Sequence, residues 1–77
     1  MDEVAVMEAL RDMTDTDGWK IVEKFIKQQI EFHKNKLMNC PIEDVQKHRI
    51  KAETYKSILI YIDEKIQDGM EELRRLP

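Results

Sequence analysis

Apolar residues recur along this chain at alternating three- and four-residue steps, the spacing of a helix that buries one stripe. The clearest run lies between Ile42 and Leu76. There Val45, His48, Ala52, Tyr55, Leu59, Ile62, Ile66, Gly69 and Leu73 form one continuous seam. A second stripe, Trp19, Val22, Ile26, Ile30, His33 and Leu37, runs through residues 17–39, with Ile21, Phe25 and Phe32 widening it on one flank. Between the two, Asn39-Cys40-Pro41-Ile42-Glu43-Asp44 stops one helix and starts the next, because proline suits a first helical turn and acids there complement the helix dipole. So short a connection makes the two helices antiparallel neighbours.

With the turn at Cys40 and Pro41, the seams pair Trp19 with Ile62, Val22 with Leu59, Ile26 with Tyr55, Gln29 with Ala52 and His33 with His48. The layers far from the turn are bulky and apolar; the two nearest it are polar or small. A polar layer of this kind fixes register at some cost in stability. Two imidazoles facing one another resist being charged together, so both histidines are expected to titrate below the usual value of about 6.5.

Upstream, Val4, Met7, Leu10 and Met13 recur at three-residue steps within residues 1–16, behind Asp2 and Glu3. Three turns of isolated helix are marginal in water. The segment is an accessory acidic helix where its Val-Met-Leu face finds a partner and a frayed acidic tail where it does not. Thr14-Asp15-Thr16-Asp17-Gly18 supplies a cap and a hinge before Trp19. The same run has a partial likeness to a calcium loop, but with Gly18 at the sixth position Met13 falls at the first and Lys24 at the twelfth, where a bidentate glutamate is required.

The second hairpin helix outruns its partner, so its turns from Ile66 to Leu73 need cover, and the amino-terminal helix is the nearest candidate. Gly69, among those turns, either ends the helix or lets a neighbouring backbone come close. Five successive apolar residues, Ile58 to Ile62, point all round the helix. A two-helix hairpin covers only one of those sides. The expected fold is therefore all-α: an antiparallel helical hairpin with a short amino-terminal accessory helix, a single domain over residues 1–77 that completes a bundle by self-association. Phe25 and Phe32 on the first hairpin helix, with Ile58, Ile60, Tyr61 and Met70 on the second, are the candidate contact residues for a second copy or another protein.

Charge refines this picture. Of the 77 residues, 38% are charged and 42% hydrophobic, with two glycines and two prolines, which suits long solvated helices. The net charge of -3 is unevenly spread: residues 1–17 hold six acids and one base, residues 18–56 nine bases and five acids, and residues 57–77 five acids and three bases. The basic middle offers charge to phosphate, but it lacks a nucleic-acid-binding motif and exposed aromatic interleaving, so nucleic acid is not the expected partner.

Chemistry is sparse. Cys40 and Ser57 have no base expected beside them, no catalytic residue is assigned, and the chain is read as not an enzyme. His33, His48 and Cys40 are the soft metal ligands, yet Cys40 lies roughly 10 Å along the helix from either histidine and zinc wants four ligands at about 2 Å. No metal or cofactor is expected. A lone cysteine fits a reducing compartment, the acidic start is unlike a signal peptide, and no apolar run reaches the roughly 20 residues of a membrane span, so a cytoplasmic location without membrane contact is expected.

The stretches Asp17-Gly18-Trp19-Lys20-Ile21-Val22 and His48-Arg49-Ile50-Lys51-Ala52-Glu53-Thr54-Tyr55-Lys56-Ser57-Ile58-Leu59 bound a tryptophan-opened helix, a short loop and a basic-to-apolar second helix. In these features the chain resembles the small helical-hairpin proteins of bacteriophage and prophage structural-gene clusters. That resemblance covers about half the residues and implies a part in virion structure or assembly, in the host cytoplasm or the virion, with no catalytic residues. The other class open to the sequence is a small regulator that binds nucleic acid, or a nucleic-acid-binding partner, through the basic middle.

Overall fold

A computed structural model of the chain describes residues 2–76; Met1 and Pro77, at the two ends of the expected domain, lie outside the described residues. It holds three helices, α1 (Glu3–Thr14), α2 (Asp17–Leu37) and α3 (Ile42–Arg75), and no strand among those residues.

Each start is built from local chemistry. The Asp2 carboxylate caps α1 by accepting the Ala5 N–H at 2.7 Å. After Thr14 the backbone breaks at one extended residue, Thr16 (φ -84, ψ 151). Its hydroxyl accepts the Trp19 N–H at 3.1 Å and donates to the Met13 carbonyl at 2.7 Å. One side chain thus caps α2 and holds the last turn of α1. Helix α2 ends at Leu37, short of the expected residue 39, because the N–H groups of Met38 and Asn39 bond back only three residues, to Asn35 and Lys36, and tighten the turn. Pro41 stands just before the first turn of α3, not within it, and its carbonyl accepts the Asp44 N–H at 2.9 Å.

Helix α3 is the spine. Its 34 residues, about 51 Å at 1.5 Å each, account for most of a molecule 56 Å long and 17 Å thin. Helix α2 packs antiparallel along the amino-terminal part of α3, as the hairpin spacing predicts. Helix α1 packs on the remainder. Its first turns adjoin Glu72 and Leu76, Met7 meets Gly69, and Thr14 shares a cleft with Ile62 and Ile66. Helices α1 and α2 touch each other little, so they follow one another along α3 as two pieces of one interrupted arm.

Met7 is the most buried side chain, at 1% exposure. It sits where Gly69 has no side chain: a Cβ there would run into the Met7 Cβ and come within 2.7 Å of the Glu3 carbonyl oxygen. Close approach of α1, not helix termination, is the role of this glycine. Ile26, Ile30, Ala52, Ile62 and His33 are the other buried side chains of the core. Two seam positions are wetter than their spacing predicts: Val22 and Leu73 stay about half exposed. A rod two helices thick buries one stripe per helix, and nothing among the described residues covers the flanks.

Candidate interaction face and histidine layer

The flanks of the hairpin differ in chemistry. On one side Lys34 of α2 shares a cleft with Arg49, Glu53 and Lys56 of α3, over Ile30 and Ala52. Phe25 lies on the other, where its ring meets Tyr55 of α3 edge to face with centroids 6.3 Å apart. Ile58 and Tyr61 follow Tyr55 at three-residue steps, each about 60° further round α3 toward the Phe25 side. The antiparallel register sets Ile21 level with Tyr61 and Phe25 with Ile58, and Phe32 follows Phe25 two turns on. Ile50 stands about 200° from both His48 and Ala52, on the back of α3. Ile21, Phe25, Phe32, Ile58 and Tyr61 form one apolar flank. Each is about half exposed, Ile21 most of all at 72%. Lys36 reaches over the Phe32 ring (5.5 Å to the centroid) and Lys65 over Tyr61 (5.7 Å), so ammonium groups edge the face while their stems lie along it.

The structure therefore brings together Phe25, Phe32, Ile58 and Tyr61 of the expected contact residues. It does not bring Ile60 to them. At 100° per residue Ile60 stands about 200° round the helix from Ile58, on the flank of Lys56 and Glu53, where it is 43% exposed. Met70 is half-buried beside Gly69, on the part of α3 that α1 occupies. Ile21 was placed on the right flank but not counted as a contact.

Nearer the turn, His33 and His48 pair as their positions predict, Nδ1 to Nδ1 at 2.9 Å. One ring must donate an N–H and the other accept with a bare nitrogen, so the pair tolerates no more than one charge without setting two N–H groups head to head. Tyr55 stacks on His33 (centroids 6.1 Å, 16° between planes) and Phe32 meets its edge at 5.1 Å. Burial, then the charges of His48, Lys51 and Lys47, hold the His33 imidazole below its ordinary value of 6.5.

Among the described residues no three His, Cys, Asp or Glu side chains converge closely enough to hold a metal, no helix is long and apolar enough to cross a membrane, and the ion pairs found lie within single helices. Among the described residues, α3 is joined to the other two helices by apolar packing and one imidazole pair. No protein-family model, no curated protein and no solved structure matches this chain.

Proposed function

We propose that the protein is a non-catalytic protein–protein interaction or assembly module that works through the Ile21, Phe25, Phe32, Ile58 and Tyr61 face. One observation carries this reading: five large apolar side chains on one flank at mid-rod are each about half exposed or more. At roughly 200 Å² per side chain they offer about 540 Å² to solvent, toward the upper end for a monomer's largest apolar patch. The likeness to phage helical-hairpin proteins favours virion assembly as the setting. Replacing Phe25 with photo-reactive benzoylphenylalanine in the cells that express the chain tests it. Protein adducts from position 25, absent from position 60, are expected; no adduct from either would overturn the proposal.

A second reading rests on the cleft that gathers Lys34, Arg49 and Lys56 from two helices around the single acid Glu53. Three cations in one cleft suit phosphate, and this reading makes the chain a small nucleic-acid-binding regulator. It predicts a mobility shift of DNA or RNA that falls steeply with salt and is lost in Lys34→Glu. Absence of a shift at physiological salt would remove it.

A further inference from the structure

We infer that the apolar face is completed by a second copy of this chain lying antiparallel to the first, so that two rods form a four-helix layer about a twofold axis level with Phe25 and Ile58. The inference rests on the interaction reading above and names its partner. Three properties of the rod carry it.

The first is position. From the level of Phe25 the turn at Cys40 lies fifteen residues away, about 22 Å, and the far end of α3 at Arg75 lies seventeen residues beyond Ile58, about 25 Å. The face is therefore near the centre of the rod, where a twofold axis would let both copies overlap along their whole length.

The second is charge. The half of the rod nearer the turn, residues 25–58, carries seven bases and four acids; the half built from residues 1–24 and 59–77 carries twelve acids and six bases. An antiparallel pair sets each basic half against an acidic one, whereas a parallel pair stacks like on like at both ends. Juxtaposed like charge is a strong selector against an orientation.

The third is area. A face of about 540 Å² on each copy, used twice, buries about 1,100 Å², above the roughly 1,000 Å² that a specific interface must clear. A twofold contact is isologous, so one patch serves both sides with no second surface needed.

The native Cys40 gives the experiment, because it is the sole cysteine of the chain and stands at the turn. Sedimentation equilibrium of the purified full chain should show a dimer at micromolar concentration that weakens with added salt. A nitroxide on Cys40, read by double electron–electron resonance, should report a separation of about 40–45 Å, twice the distance from the axis. Ile21→Glu and Tyr61→Glu, at two of the most exposed positions of the face, should each raise the dimer dissociation constant at least tenfold with helicity kept. Ile60→Glu should not. A monomer at every concentration overturns the inference, and adducts from position 25 to a different protein would then leave the interaction reading standing. A dimer with labels within about 20 Å, or a ready Cys40 disulfide between copies, overturns the antiparallel arrangement.

Discussion

Gly69→Ala is the substitution on which sequence rules and this structure disagree in sign. Gly69 lies inside α3, six residues before its end, and alanine there removes a helix penalty of about 1 kcal/mol. On propensity alone the variant is more stable. The structure puts the new methyl into Met7 Cβ and within 2.8 Å of Met7 Cγ and 2.7 Å of the Glu3 carbonyl oxygen. Rotation of the Met7 side chain could move its Cγ, but Met7 Cβ and the Glu3 carbonyl are both fixed to α1 backbone and shift only with the helix. Overpacking of this kind costs about 1–3 kcal/mol, so the balance runs from near zero to a loss of about 2 kcal/mol. For a domain of this size each kcal/mol lowers the melting temperature by about 4–8 °C. The loss should concentrate where the collision is. Hydrogen exchange should show α1 amides, Val6 to Thr14, losing protection while the Ile26 to Leu37 amides of α2 keep theirs. A variant that melts higher with α1 protection intact would mean that α1 is not seated on Gly69.

Thr16→Ala removes both the cap of α2 and the bond to Met13, and should cost about 1 kcal/mol in urea unfolding, with Thr16→Ser restoring most of it; equal stability of all three chains would refute the role given to that hydroxyl. For the histidine layer the sign follows from His33. Its folded value is below the unfolded one, so the fold prefers the neutral ring, and stability is complete above about pH 6.5 and declines as pH falls below it. Unfolding midpoints should drop between about pH 6.5 and 5 in the parent and stay flatter in His33→Gln/His48→Gln; parallel declines would show that the pair is not the titrating element.

Much of the fold is legible in the sequence because its determinants are local or periodic. The Thr16 cap, the turn around Pro41 and the pairing of His33 with His48 all follow from spacing and turn chemistry within a two-helix register. Gly69 is where spacing runs out: its place in the seam was visible, but which of its two roles it plays depends on how closely α1 approaches. The side on which an apolar flank faces is likewise a property of two helices together. Ile58 and Ile60 look equivalent as neighbours in an apolar run, and become distinct only once α2 occupies one side and the cationic cleft the other. Half exposure of Val22 has the same origin, since periodicity marks a stripe without saying whether anything beyond the facing helix will cover it.

The contact between Met7 and Gly69 also sets an order of events during synthesis. Residues 17 to 62 can zip into a hairpin from the turn outward, each step closing a short loop. Helix α1 is made well before its seat, because Gly69 stands sixty-two positions after Met7. Until Gly69 has been made the Val4, Met7 and Leu10 face lacks the place that the folded chain gives it. A nascent chain halted before Gly69 emerges would present that acidic amphipathic segment to the cell, available to any other groove that fits it, and synthesis of the rest of α3 would withdraw it.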